Sequence, residues 1–258
     1  MLGILDRQLD VRLVILDKDG TLLAFDVMWH AWFANLMQAL AEQRPLAETT
    51  LDGLAATLGY DRATGAWDPQ GPLTVAPIDE VLVIMGGQLY THERLSYDDA
   101  LARVREALRS SQEQTRVEDL AQPMGDLRGW LERVRTSGAL LALATADQRA
   151  ETERALRHLG VLDLFATTVC GDDGVPLKPA PDMALEICRR TGVPPDQTIM
   201  VGDTVADLQM ARAAGLLCGV GVTTGAAPAS LLAPYADVLV TDIHAIEPLA
   251  NHEQARTP

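Results

Sequence analysis

The sequence predicts an α/β fold: a doubly wound parallel sheet with helices on both faces, and an inserted all-helical cap domain. Two features predict it. From residue 126 onward, short apolar segments rich in β-branched residues alternate with helical segments, which is typical of a parallel sheet. The block 22–125 instead shows helical spacing and no convincing parallel strand. We therefore expect a core domain of residues 1–21 and 126–258 and a cap domain of residues 22–125.

The first strand of the core is predicted over Val11 to Leu16. This segment is apolar and rich in β-branched residues, and a turn at Gly20 stops it, which is the pattern of a buried parallel strand. Asp17 and Asp19 follow the strand directly. Because ligands of open α/β sheets bind beyond the carboxyl ends of the strands, we expect a functional site there.

Helical spacing dominates the cap. Apolar and aromatic residues recur at that spacing over residues 26–43, and Pro45 ends the helix. Ser96 and Asp99 form a capping-box pattern, which predicts the start of another helix. The remaining cap predictions are helices over 46–58, 78–90 and 96–111 and a loop over 60–77.

The cap follows the first strand directly, so we expect it to act as a lid. Its aromatic residues Trp29, Trp32 and Phe33 either line a substrate pocket or pack the core of the cap, and the second role is the commoner one for such a stripe. Four arginines are candidates for contact with a substrate anion: Arg44, Arg62, Arg94 and Arg103.

The rest of the core alternates strands and helices, and a glycine follows most of the helices, as a left-handed terminator would. The predicted helices are 126–137, 148–159, 181–191 and 205–214, and the predicted strands are 139–145, 167–170, 198–202, 217–222 and 237–241.

Composition limits the classes of function. The 258 residues are 48% hydrophobic, which is ample for a buried core, and the net charge of −15 argues against nucleic acid and anionic membranes as partners. The three cysteines are widely spaced and suggest neither a disulfide framework nor a zinc site. We expect a cytoplasmic protein without a signal peptide or a transmembrane helix, and the sequence leaves its oligomeric state open.

Polar residues recur where predicted strands end. Asp203 follows the strand 198–202, Asp207 lies one helical turn later, and Thr145 ends the strand 139–145. Closely spaced carboxylates repel each other, and a divalent cation is the usual compensation. Lys178 is a candidate for a positive charge at this site, because the chain holds only two lysines, Lys18 and Lys178, against nineteen arginines.

Four motifs resemble those of the haloacid dehalogenase (HAD) superfamily, and occur in its order. They are Asp-Lys-Asp-Gly-Thr at 17–21, a strand that ends in Thr145, Lys-Pro-Ala-Pro-Asp at 178–182, and Gly-Asp-Thr-Val-Ala-Asp at 202–207. The branch that the sequence resembles most is that of the phosphoglycolate phosphatases. The resemblance covers residues 10–21 and 126–245 and implies a Rossmann-like core.

The resemblance implies a role for each motif residue. Asp17 would be the nucleophile that forms an aspartyl-phosphate, and Asp19 the general acid and base. Thr145 and the backbone N–H of Ala146 would bind phosphate oxygens, and Lys178 would neutralise the transferring group. Mg²⁺ would be held by Asp17, by the backbone carbonyl of Asp19 and by Asp203. The supporting residue Asp207 would bind it through water or orient Lys178.

The resemblance therefore predicts a Mg²⁺-dependent phosphatase that acts on a small phosphorylated metabolite, with phosphoglycolate as the first candidate. Two alternatives stay open: a phosphomutase of the β-phosphoglucomutase type, and a phosphoaspartate signalling module that does not turn over. Dehalogenases of the superfamily lack the second acid of the first motif, so Asp19 favours phosphoester chemistry. The cap contains no lysine, which argues against the Schiff-base chemistry of phosphonoacetaldehyde hydrolases. Asp147 stands where such families often carry Asn or Ser, and we expect it to cap the following helix.

Overall fold

A computed structural model describes residues 1–5, 7–114 and 116–249. Contacts divide the chain into two compact units: Met1–Phe25 with the chain from Ala121 onward, and Asp26–Leu120. Residues 250–258 of the predicted core domain lie outside the described part of the chain.

The strands of the described residues all belong to the first unit. They are β1 (Leu2–Ile4), β2 (Arg7–Leu9), β3 (Leu13–Leu16), β4 (Leu140–Ala144), β5 (Thr167–Val169), β6 (Thr198–Gly202), β7 (Cys218–Val222), β8 (Val238–Val240) and β9 (Ile246–Pro248).

The elements described in the second unit are helices, and the first unit contains further helices beside its strands. The helices are α1 (Phe25–Gln43), α2 (Glu48–Thr57), α3 (Pro72–Val75), α4 (Ile78–Glu93), α5 (Tyr97–Gln114), α6 (Val117–Leu120), α7 (Leu127–Thr136), α8 (Arg149–His158), α9 (Asp182–Thr191), α10 (Val205–Ala213) and α11 (Ala229–Leu232). Among these helices, none combines the length and the apolar character that a membrane crossing requires.

The main sheet is parallel, with six strands in the order β5-β4-β3-β6-β7-β8. The order reverses at β3, which pairs with β4 on one side and β6 on the other. Leu16 at the end of β3 lies opposite both Leu143 and Val201, so the carboxyl ends of three adjacent strands meet at one edge. A strand-order reversal at such an edge is where doubly wound sheets bind ligands.

The core of the first unit lies against the faces of this sheet. On one face Leu13 and Ile15 of β3 pack with buried residues of α9 and α10, such as Met183 and Met210. Trp130 of α7 is buried as well, and its indole Nε1–H donates to the carbonyl of Ile246 at 2.9 Å. The prediction of an α/β fold with a doubly wound parallel sheet is therefore confirmed.

A second sheet was missed by the sequence prediction. It is antiparallel, has the order β2-β1-β9, and joins the N-terminal hairpin to the last described strand. Its strands have only three residues each, too few to show a period-2 pattern. The predicted loop 60–77 also contains the short helix α3 and a bridge between Tyr60 and Trp67.

The helical unit has a hydrophobic core of its own. Phe33 is buried in it, at 4% exposure, and Trp32 packs against it. Other buried members are Leu36, Leu40, Leu54, Met85, Leu89 and Val104. Ser96 caps the start of α5 as its position predicts, since the backbone N–H of Asp99 donates to Ser96 Oγ at 3.1 Å, and Ser96 Oγ donates to the Asp99 carboxylate at 2.6 Å.

Two of the four candidate arginines are held by this unit itself. Arg62 forms ion pairs with Glu48 and Asp52. Arg103 Nη2 donates to the backbone carbonyls of Leu40 and Arg44. These contacts give both side chains a structural role within the helical unit.

Candidate active site

The predicted site residues of the core unit lie at one edge of the main sheet. Asp17 follows β3, Thr145 follows β4 and Asp203 follows β6, and these three strands are neighbours in the sheet. The strand β3 continues for one residue beyond its last pair, because the Asp17 N–H donates to the Val201 carbonyl at 2.9 Å. The parallel register thus brings together residues that are nearly 190 positions apart in the chain.

Lys178 joins two of the acids. Its Nζ lies 2.7 Å from Asp17 Oδ1 and 2.6 Å from Asp207 Oδ1, and it donates to the Ala144 carbonyl at 3.2 Å. Burial by itself lowers the pKa of Lys178, but the two carboxylates outweigh burial and raise it above its usual value. The ammonium group therefore stays charged at neutral pH.

Asp207 is fully buried at the start of α10 and is engaged on both oxygens. Its Oδ2 accepts from the Thr204 hydroxyl at 2.6 Å and from the Thr204 N–H at 3.1 Å, while its own N–H donates back to Thr204 Oγ1 at 3.2 Å. This reciprocal capping box fixes the side chain. Asp207 therefore suits the orientation of Lys178 better than direct coordination of a metal.

The negative charge of Asp203 is less well compensated than that of Asp17 or Asp207. It is 1% exposed, and its Oδ1 accepts a bond of 3.2 Å from the Thr21 hydroxyl. Burial raises the pKa of this carboxyl well above its usual value, and the charges of Asp17 and Asp207 raise it further. A buried carboxylate with so little positive charge beside it is unfavourable unless a cation binds.

Two glycines make room for Asp203. A Cβ at Gly20, where φ is +78°, would lie 2.4 Å from Asp203 Oδ2, and a Cβ at Gly225 would lie 1.7 Å from the same oxygen. Gly225 follows β7, the next strand of the sheet. The close approach of these two loops requires residues without side chains.

A second charged cluster surrounds Lys18. Its Nζ lies 2.7 and 2.8 Å from the two carboxylate oxygens of Asp19 and 2.8 Å from Asp147 Oδ2. Lys18 is 1% exposed. Burial lowers its pKa, but Asp147 and Asp19 outweigh burial and raise it, so this lysine also stays charged.

The carboxyls of the first motif have raised pKa values. Burial raises the pKa of Asp17 to about 6, against the opposing effect of Lys178. Burial likewise raises the pKa of Asp19 to about 8, with Asp147 adding to it and Lys18 opposing it. Burial also acts on Asp147, but the ammonium of Lys18 outweighs it and holds that pKa below its usual range.

The end of β4 supplies neutral polar groups. Thr145 is buried, and its hydroxyl accepts from the Asp147 N–H at 3.2 Å, which leaves the O–H hydrogen for another acceptor. Ala146 follows it in the chain and is half-buried. The expectation that Asp147 caps the next helix is wrong, because α8 begins after Gln148 and Asp147 pairs with Lys18 instead.

Sequence reasoning missed three contributors to this site: Lys18, Asp147 as its partner, and Gly225. The scarcity of lysine was a usable signal for Lys18, since both lysines of the chain lie in the site. For Gly225 the sequence offers no comparable signal, because its role is defined only by the loop that approaches Asp203.

A group of carboxylates at this edge could hold a metal ion. Asp17, Asp203 and Asp207 each offer one oxygen, and these oxygens lie within 4.8 Å of one another. The ammonium of Lys178 pairs with two of these three buried carboxylates, Asp17 and Asp207, so a divalent cation would balance the remaining negative charge. Buried carboxylate oxygens are the donors that hard cations such as Mg²⁺ and Ca²⁺ prefer.

The chain belongs to the haloacid dehalogenase-like hydrolase family, whose sequence model matches residues 11–215. Among its relatives, the phosphoglycolate phosphatase of Nitrosospira multiformis is 36% identical over 117 residues, which are 45% of this chain and 51% of the relative. The phosphoglycolate phosphatase of Escherichia coli K12 is 35% identical over 95 residues, 37% of each chain. The match thus spans about half of one relative and little more than a third of the other.

Solved structures share the whole fold. A predicted phosphoglycolate phosphatase from Haemophilus somnus 129pt has a TM-score of 0.66 at 19% identity, over 92% of this chain and 96% of that one. A candidate beta-phosphoglucomutase from Thermotoga maritima has a TM-score of 0.62 at 22% identity, over 91% of this chain and 96% of that one. At such identities the likeness establishes the fold alone.

Proposed function

We propose that this protein is a Mg²⁺-dependent phosphatase that hydrolyses a small phosphorylated metabolite through an aspartyl-phosphate on Asp17. The observation that supports this most is the environment of Asp17, whose carboxylate pairs with Lys178 beside a group of buried acids that could hold a metal. A carboxylate kept charged next to cations is a suitable nucleophile for phosphorus.

The proposed reaction has two steps. In the first, an oxygen of Asp17 attacks phosphorus, the ester P–O bond breaks, and the leaving alkoxide takes a proton from Asp19. In the second, Asp19 takes a proton from a water molecule that attacks the phosphoryl group, and the Asp17–phosphorus bond breaks to release inorganic phosphate. Lys178, the Thr145 hydroxyl and the Ala146 N–H are the proposed donors to the phosphoryl oxygens.

Asp17, Asp203 and the backbone carbonyl of Asp19 are the proposed ligands of Mg²⁺. The ion would neutralise charge on the phosphoryl oxygens and on the acids around it. The same ion explains how a chain with a net charge of −15 can accept an anionic substrate.

The proposed substrate is a small phosphate monoester, and phosphoglycolate is the first to test. This choice is supported by the two relatives, which are both named phosphoglycolate phosphatases. Because the matches cover only 45% and 37% of this chain, the choice among phosphate esters rests on experiment.

A phosphomutase is the second candidate, and the fold of the Thermotoga maritima neighbour fits it. A mutase would return the phosphoryl group from Asp17 to a sugar phosphate instead of to water. A signalling module that keeps its phosphoaspartate is the third, and the presence of Asp19 disfavours it, because a lasting acyl phosphate has no use for a general acid.

The test is phosphate release from p-nitrophenyl phosphate and phosphoglycolate with Mg²⁺. We expect Asp17→Asn and EDTA each to abolish release, and the exposed control variant Asp196→Asn to keep it. Activity retained in Asp17→Asn would refute the mechanism. Interconversion of sugar phosphates without phosphate release would favour the mutase, and a stable phosphoprotein would favour the signalling module.

A further inference from the structure

Lys18 is the second residue of the first motif, and its ammonium group is held between two carboxylates. Its Nζ touches both carboxylate oxygens of Asp19 at 2.7 and 2.8 Å and Asp147 Oδ2 at 2.8 Å. The side chain of Lys18 is 2% exposed and that of Asp19 is 13% exposed. An ammonium this deeply buried is strongly destabilising unless carboxylates surround it, so the three groups must be considered together.

We propose that Lys18, held in place by Asp147, is the positioning residue of Asp19. The inference rests on the proposed function, because it assigns Lys18 to the proton transfer that Asp19 is proposed to perform. Asp147 holds the Lys18 ammonium in place and is not itself a catalytic residue.

The geometry gives each partner a distinct task. Because one ammonium contacts both oxygens, it holds the Asp19 carboxylate more firmly than a contact with one oxygen would. Asp147 contacts the ammonium from a second direction, so the position of Lys18 does not depend on Asp19 alone. The backbone of Asp147 is itself anchored, since its carbonyl accepts from the Gly171 N–H at 2.7 Å and its N–H donates to Thr145 Oγ1 at 3.2 Å.

The arrangement also matches the charge changes of the first step. When the Asp17 oxygen bonds to phosphorus and the ester bond breaks, the bonding electron pair goes to the leaving oxygen, which takes the proton of Asp19. Asp19 is then an anion, and the ammonium of Lys18 is already in contact with it. In the second step Asp19 takes a proton from water and its charge disappears again. Because Lys18 and Asp147 carry opposite charges, the pair adds no net charge to the site.

The test uses two esters with different leaving groups. Ethyl phosphate needs a proton on its leaving oxygen, whereas 2,4-dinitrophenyl phosphate does not, and kcat/KM reports the steps up to cleavage of the ester bond. We expect Lys18→Met to lower kcat/KM for ethyl phosphate by about 100-fold, the lower end of what general acid catalysis contributes. For the dinitrophenyl ester the loss is expected to stay below about fivefold, because no proton transfer is required there.

Asp147→Asn, alone and combined with Lys18→Met in a double variant, tests whether Asp147 supports Lys18. We expect Asp147→Asn alone to lower kcat/KM for ethyl phosphate by about tenfold, because Lys18 remains but is held from one side only. The double variant should lie closer to Lys18→Met than to the product of the two losses, because without Lys18 there is no ammonium for Asp147 to hold in place. Equal losses for both esters, or losses that multiply in the double variant, would overturn the proposal.

A measurement that needs no turnover distinguishes a failure of this inference from a failure of the proposed function. With ¹⁵N-labelled lysine the protein has two Nζ signals at most, because it contains two lysines. We expect Lys18→Met to remove one of them, Asp19→Asn and Asp147→Asn to shift that same signal, and Asp207→Asn to shift only the other.

If wild type hydrolyses neither ester, the proposed function fails. The signals then decide whether Lys18 holds Asp19: a shift of the Lys18 signal in Asp19→Asn supports the contact, and an unchanged signal overturns the inference. Both Asn variants remove a charge with little change in shape, so they remain informative if Lys18→Met does not fold.

Discussion

Removal of the Lys178 ammonium tests how the acidic site is held together. In Lys178→Met, Asp17 and Asp207 lose their shared partner at 2.7 and 2.6 Å. The two carboxylate side chains are 9% and 0% exposed, so water cannot replace it. Removal of one member of a buried ion pair typically costs about 3–5 kcal/mol, and we expect a loss of that size at pH 7.

The pH dependence of this loss has a defined sign. The pKa of Asp17 in the folded protein is raised to about 6 by burial, so the folded state binds more protons than the unfolded state below that pH. A group of this kind destabilises the fold as pH rises through the window from its ordinary value to 6. Without Lys178 its pKa rises further, because the opposing charge is gone. The stability difference between variant and wild type should therefore be smaller at pH 5 than at pH 7.

Urea denaturation at both pH values measures this difference, with Mg²⁺ absent. The matched control is Arg189→Met in the same unit, where an exposed ion pair with Glu186 is lost and no measurable change is expected. A loss in Lys178→Met that equals the control, or one that grows from pH 7 to pH 5, would show that the buried carboxylates do not depend on Lys178.

Three further predictions follow from packing. Gly225→Ala should abolish phosphate release, because its Cβ would lie 1.7 Å from Asp203 Oδ2, whereas Gly87→Ala, which meets nothing within 4 Å, should keep it; activity in Gly225→Ala would contradict the close approach. The buried thiols of Cys170, Cys188 and Cys218, whose pKa values are raised by burial, to about 11 for Cys218, should react with a thiol reagent only after denaturation. Trp130→Phe should lower stability by about 1–3 kcal/mol in a urea titration, because the buried Ile246 carbonyl loses its donor; an unchanged midpoint would contradict that contact.

The main sheet was predictable because each of its strands carries a local signal. Leu13 to Leu16 are all buried, so the strand appears in the sequence as an unbroken apolar run. The strand β6 was predicted with its observed bounds for the same reason. The three-residue strands β1, β2 and β9 are too short to carry such a signal, and the pairing of β1 with β9 joins segments more than 200 positions apart in the chain.

The composition of the site was partly predictable for a similar reason. Position at a strand end is a local property, and it was enough to select Asp17, Thr145 and Asp203 as neighbours. The partner of a side chain is not a local property. Asp147 could cap a helix or pair with a lysine, and only the adjacency of β3 and β4 decides for the lysine.

The two lysines divide the acids of the site into groups with different tasks. Lys178 contacts Asp17 and Asp207, and Lys18 contacts Asp19 and Asp147. The pKa of Asp17 is raised to about 6 and that of Asp19 to about 8, so a pH between them leaves the first ionised and the second protonated. A nucleophile must be ionised and a general acid must hold its proton, so this order is the one that the first proposed step requires. Burial raises both pKa values, and each carboxylate has its own lysine that opposes burial and its own second acid that adds to it.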